Sequence, residues 1–334
     1  MASAAYSGDG RIAAALAQIA KRLVGRTADP DQLVAEIERF QAGLDAELNF
    51  AALAIWGGAR LVQPVDDSKW GTDGHHDYKV PDLFMVVRGP SGVDHPCWVE
   101  VKSSSISDRL RISRRTYDRM IAFERLTGLP YLVAFRNMYG LWVLREVSTL
   151  APVDSAFQLN LDAFKESLLG LLLNDALIVV AAGAGLTIEL ARLGQRDDRG
   201  ETVRIEDVYP HGGDGVRIDE PPRGWHYVLS AVDAEDESII TEDRITQRFS
   251  APQEGNSAWL HQVFSHLAIS EASRGEDEVN WQRLLQRVRQ LPSAHVLASE
   301  LLDAGFVTHV FQLMPHSAPV GFADFAAGLP KRPA

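Results

Sequence analysis

Trp98-Val99-Glu100-Val101-Lys102 is the stretch that most narrows what this chain can become. In a strand, alternate side chains share a face, so Trp98, Glu100 and Lys102 point one way while Val99 and Val101 enter the opposite packing layer. Glu100 and Lys102 are then neighbours roughly 6 to 7 Å apart along the backbone. Pro81-Asp82 opens the preceding strand, eighteen residues before Glu100. If the two strands pair, Asp82 reaches the same spot.

The flanking pattern supplies the layers. Apolar residues recur at helical spacing from Leu33 through Ile55, and Gly57-Gly58 is the stop; Gly43 offers a place to split this into two helices. Strands are expected at Arg60–Val65, Val80–Val87, Trp98–Val101, Tyr131–Phe135 and Leu141–Leu144, with a helix over Arg111–Thr127 ended by Gly128. That order defines an α/β unit with a central mixed β-sheet flanked by helices.

Two carboxylates and an ammonium at one sheet end suit a hard divalent cation. Mg²⁺ prefers oxygen ligands, keeps several waters and usually takes one or two carboxylates, which leaves room for a phosphate oxygen. The candidate metal set is Asp82, Glu100 and Val101, with Mn²⁺ able to substitute. Such an ion polarises a phosphoryl group and lowers the pKa of a bound water, while Lys102 orients that water or steadies the developing charge. Glu47, on the helix ten residues before Gly57, adds a third carboxylate. The chemistry indicated is hydrolysis of a phosphodiester.

Glu47, Pro81-Asp82, Glu100-Val101-Lys102 with Ser103-Ser104-Ser105, and a basic helix with Tyr117 running into Thr127-Gly128-Leu129-Pro130 together resemble the PD-(D/E)xK nuclease superfamily, which includes restriction endonucleases and archaeal-type Holliday junction resolvases. The resemblance covers roughly residues 30–145. It implies a restriction-endonuclease-like core in which Asp82 and Glu100 bind Mg²⁺, Lys102 supports the attacking water and Glu47 assists. Many members place a Gln on the helix after the lysine; here the nearest candidates are Arg115, Tyr117 and Arg119.

A net charge of −12 argues against a polyanion partner until it is divided along the chain. Residues 1–154 hold 18 Lys+Arg against 19 Asp+Glu, and residues 155–334 hold 15 against 26, so the acidity belongs to the second half. Residues 102–125 carry seven basic residues against three acidic ones. Arg111, Arg114, Arg115 and Arg119 beside the candidate site are therefore expected to hold DNA phosphates, against the plainer reading of a solvated helix face. The acidic half suits a protein partner or self-association.

The expected function is a metal-dependent DNA endonuclease. The alternative is a catalytically inactive nuclease-fold module that binds nucleic acid or a protein in a defence or DNA-processing complex, since folds outlive their chemistry. His75-His76-Asp77 reads better as a solvated loop than as a metal cluster, and Val296–Phe311 better as a packing helix than as a winged-helix reader. The single cysteine, Cys97, excludes an internal disulfide and a Cys-based zinc site, and reads as a small core residue. The run Leu168–Leu186 is interrupted by Asn174-Asp175, so no membrane segment is expected, nor is a signal peptide, and the expected home is cytoplasmic. The expected organisation is an N-terminal helical extension (1–29), the nuclease-like domain (30–150), an α+β region (151–254) and a mainly helical region (255–334). In the second half, Leu161–Asn174 reads as a helix, Ile188–Leu193 with Thr202–Val208 as a hairpin, and Trp225–Val232 as a strand.

Overall fold

The structure is a computed structural model that describes residues 30–66, 77–197, 200–222, 225–232, 234–252, 256–273, 281–312, 314–315 and 322. The N-terminal extension, His75-His76, most of the loop between Asp66 and Tyr78, and the turn at Asp198-Arg199 lie outside these residues.

The first half builds a five-stranded sheet in the order β1-β2-β3-β5-β6, from Leu61–Pro64, Leu83–Arg88, Asp94–Ser103, Tyr131–Arg136 and Trp142–Glu146. All neighbours are antiparallel except β3 and β5, which run parallel, so the sheet is mixed. Helix α1 (Pro30–Trp56) covers one face and α2 (Arg114–Thr127) the other. The alternation along β3 decides which side each residue meets. Cys97, Val99 and Val101 pack with Ala46, Phe50 and Ala51 of α1, whereas Trp98 joins Met120 and Phe123 of α2.

Local chemistry fixes the helix ends. Helix α1 is continuous through Gly43, where a side chain would meet open space, so the glycine marks no break. Position 57 must be glycine for packing, since a Cβ there would fall 2.5 Å from the Leu173 carbonyl oxygen, and Gly58 at φ 104° turns the chain out of the helix. Helix α2 starts at Arg114 and not at Arg111, because the Ser113 hydroxyl caps it by accepting from Thr116 N–H. Arg111 instead sits in strand β4 (Leu110–Ser113), paired with β8 (Ala156–Leu159) in a small sheet completed by β7 (Pro152–Val153). Gly128 closes α2 at φ 65°, its N–H donating to Glu124 O at 2.8 Å.

The second α+β region packs against the far edge of this sheet. Its elements are α3 (Leu169–Leu173), β9 (Leu177–Val180), a four-stranded sheet in the order β11-β10-β13-β12 made from β10 (Gly185–Asp197), β11 (Gly200–His211), β12 (Glu235–Ile240) and β13 (Arg244–Ser250), then α4 (Trp225–Ser230), β14 (Asn256–Trp259), α5 (Leu260–Ser273), α6 (Trp281–Arg287), α7 (Ala294–Asp303) and β15 (Val307–Phe311). Strand β9 lies between β14 and β15 in a three-stranded sheet, so the packing helix expected over Val296–Phe311 ends at Asp303 and is followed by an edge strand, Val307–Phe311, of which only Val307 is fully buried. Two further expectations are corrected. Trp225–Val232 opens as a helix, with Val228 and Val232 one turn apart and both buried. The expected Leu161–Asn174 helix is broken at Ser167, whose hydroxyl accepts from the N–H of Leu144 (3.2 Å) and of Leu169 (3.4 Å).

Strand β6 has outward backbone groups that an uncovered edge would leave open to pairing with another chain. The second half takes them up: Leu144 O accepts from Leu168 N–H (2.8 Å), and Trp142 N–H donates to His261 Nε2 (3.3 Å). His261 in turn donates from Nδ1 to Asp175 Oδ2 (2.7 Å), and its main-chain N–H donates to Asp175 Oδ1 (3.0 Å). Trp56 stacks on Phe264 of α5 with ring centroids 4.9 Å apart. One buried apolar cluster runs from Ala46 to Phe322. No helix among the described residues is long and apolar enough to cross a membrane.

Candidate active site

Register brings the acidic pair together. Leu83 faces Val99, so one step earlier Asp82 faces Glu100. Proline at 81 has no N–H for the ladder, and pairing is carried past it by Asp82: its N–H donates to Val99 O (3.1 Å), its carbonyl accepts from Val65 N–H (2.9 Å), and its Oδ2 accepts from Val101 N–H (2.8 Å). Main-chain hydrogen bonds thereby fix this carboxylate at the sheet end.

Lys102 closes the group. Its Nζ lies 2.5 Å from Glu100 Oε1, 3.7 Å from Asp82 Oδ2 and 3.0 Å from the Val101 carbonyl oxygen. Two groups that sequence reasoning did not single out complete the surroundings of Glu100. Lys79 Nζ stands 2.9 Å from Oε1, and the Tyr131 hydroxyl donates to Oε2 at 3.3 Å. Both signals were present in the sequence. Lys79 lies three residues before Asp82, and Tyr131 opens the strand that pairs beside Trp98, on the face of Glu100.

Electrostatics pushes the two carboxyls apart. Burial raises the Asp82 pKa and the Glu100 charge adds to it, while Lys102, Lys79 and the Val101 N–H only partly offset the rise. Burial opposes ionisation of Glu100 too, but the charges and hydrogen bonds of Lys102 and Lys79 outweigh it and hold this carboxyl below its ordinary range. For Lys102, burial favours the neutral amine, yet Glu100 and Asp82 prevail and hold the ammonium well above the usual lysine range, with Glu47 contributing. Lys102 is therefore a cation at neutral pH, suited to orienting a nucleophile and unsuited to removing its proton.

The donor set fits a hard divalent cation. Among the described residues no three His, Cys, Asp or Glu side chains cluster to hold a metal. The oxygens at hand are the Asp82 and Glu100 carboxylates and the Val101 carbonyl, all within 3.7 Å of the Lys102 ammonium. Two carboxylates with waters are an ordinary Mg²⁺ complement. Glu47 reaches the same sheet end from α1 and lines a cleft of about 1040 Å³ with Asp45, Val101, Lys102, Ser103 and Arg136.

The arginines divide. Arg111, Arg114 and Arg115 are exposed; Arg114 pairs with Asp118 (3.4 Å) and lies over the Phe157 ring, and Arg111 is 4.0 Å from Asp154. Arg119 turns inward and donates to the Tyr78 carbonyl at 2.5 Å, beside Lys79. Tyr117 stacks on Phe157 with centroids 3.5 Å apart, so it serves the small sheet. Cys97 is buried, and burial pushes its thiol far above the ordinary range, as a core residue requires.

No protein-family model and no curated protein matches the chain. Among solved structures the chain is similar to Archaeoglobus fulgidus Hjc, a Holliday junction resolvase from an archaeal hyperthermophile, with a TM-score of 0.28 and 17% identity over 37% of this chain and 87% of that one.

Proposed function

We propose that the chain is a metal-dependent endonuclease that hydrolyses phosphodiester bonds in DNA. The observation that carries this reading is the convergence of Asp82, Glu100 and the Val101 carbonyl on one ammonium at a sheet end that opens into a cleft. Asp82, Glu100 and Val101 would hold Mg²⁺ or Mn²⁺, which when bound supplies Lewis acidity and a more acidic water. Lys102 orients the attacking water and stabilises charge building on the phosphoryl oxygens. Glu47 accepts a hydrogen bond from water in the cleft. Arg111, Arg114 and Arg115 contact flanking phosphates, and Arg119 positions the Tyr78–Lys79 backbone.

Incubating the purified chain with supercoiled plasmid, linear duplex and branched DNA plus Mg²⁺ or Mn²⁺ tests this. Cleavage is expected, and Asp82→Asn and Lys102→Ala should abolish it. Absence of cleavage on every substrate, or equal cleavage by both variants, overturns the reading.

Lys79 favours a second reading, an inactive module. Two ammonium groups already balance the two carboxylates, so the cluster is satisfied without a metal. A binding-only module would show no Mg²⁺- or Mn²⁺-dependent rise in melting temperature, whereas a working site is stabilised by mass action.

A further inference from the structure

Arg136 ends β5, one ladder step beyond the residue that pairs with Lys102. Its Nε is buried and meets no acceptor, and no carboxylate pairs with its guanidinium among the described residues. Asn137 repeats the pattern. Its Oδ1 accepts from the N–H of Tyr139 and of Leu141 (3.0 Å each), which fixes the turn, while Nδ2 is buried and meets no acceptor. A buried donor left unpaired costs about 1 to 3 kcal/mol, so two adjacent ones call for a partner.

Both residues line the cleft that holds Val101 and Lys102. The turn is stitched in place by Ser104 N–H to Arg136 O (2.9 Å) and Met138 N–H to Ser107 O (3.0 Å). Gly140, at φ 75°, takes the left-handed conformation that closes the turn. Asp45 and Glu47 line the cleft as well, and their charge disfavours an anion everywhere except beside a cation. A guanidinium and an amide lining one cleft offer donors of the kind that match phosphate oxygens, which accept in pairs.

We propose that Arg136 and Asn137 form a phosphate-binding subsite for the DNA strand adjoining the scissile bond. The inference rests on the nuclease reading and assigns that site a further contact. Binding of a fluorescein-labelled duplex in EDTA, followed by anisotropy across a salt series, tests it. Arg136→Gln should weaken binding about tenfold at low salt and flatten the slope of log affinity against log salt by about 0.9. Arg136→Lys should keep the slope and lose part of the affinity. Asn137→Asp keeps the Oδ1 oxygen that accepts from Tyr139 and Leu141 and replaces the Nδ2 donor with a negative oxygen, so it should weaken binding. Wild-type affinity and slope in all three variants would overturn the subsite and leave the nuclease reading standing. A wild-type chain that neither binds nor cleaves DNA would overturn both.

Discussion

Lys79 Nζ lies 2.9 Å from Glu100 Oε1, so this buried carboxylate carries a second ammonium besides Lys102. A metal arriving at Glu100 competes with both. Lys79→Met should therefore tighten Mg²⁺ binding, by about three- to tenfold, because one competing charge is removed from a low-dielectric site. The midpoint of a Mg²⁺ titration read by melting temperature checks this, and an unchanged or weaker midpoint counts against a metal at that oxygen.

The opposed shifts of the two carboxyls set the pH dependence. Asp82 has a raised folded-state pKa, so its contribution favours the fold at low pH and is lost as pH rises through that value; Glu100, depressed, contributes at higher pH and loses its part as pH falls. Metal binding needs Asp82 ionised, so a proton on this carboxyl competes with the ion. The Mg²⁺-induced rise in melting temperature should shrink as pH falls, beginning above 3.8, the ordinary aspartate value. Asp82→Asn should abolish both the rise and its pH dependence. A rise that holds constant down to that pH contradicts the assignment.

Arg115 and Arg119 sit on one helix and should behave differently. Exposed Arg115, changed to Ala, should flatten the salt dependence of duplex binding by about 0.9, with fold stability unaltered. Arg119→Ala should leave the slope alone and cost about 1 to 2 kcal/mol of stability, because the Tyr78 carbonyl loses its donor. Salt titrations and urea melts on the two variants separate phosphate contact from structural support.

Asp175 accepts two hydrogen bonds from His261, one from the ring and one from the backbone. Asp175→Ala should therefore lower unfolding free energy by about 2 to 4 kcal/mol, with Asp175→Asn milder because one acceptor remains. Equal stability of Asp175→Ala and wild type in urea would show that the pair contributes nothing.

Legibility in the sequence followed burial. Strand β2 was readable because it has one buried face and begins after Pro81-Asp82, the end of α2 because Gly128 stops it, and β3 because its run Cys97–Val101 is apolar on both sides of Glu100, where strand alternation places Glu100 and Lys102 on one face. The start of α2 was misread because Arg111 and Ile112 continue a helix-compatible pattern, and only the Ser113 hydroxyl marks the turn. Lys79 was passed over because it belongs to no strand and acts by reaching across. In the second half, Glu235–Ile240 is exposed along its whole length, so it carries no apolar period to recognise.

Because the outer edge of β6 and the far side of α1 are finished by Leu168, His261 and Phe264, the five-stranded sheet borrows its hydrophobic wall from the other half of the chain. Excising residues 30–150 for biochemistry would bare Trp56, Trp142 and Leu144 together and leave a sticky, self-associating fragment. Melting should accordingly be a single cooperative event in which the sheet and the acidic half are lost together.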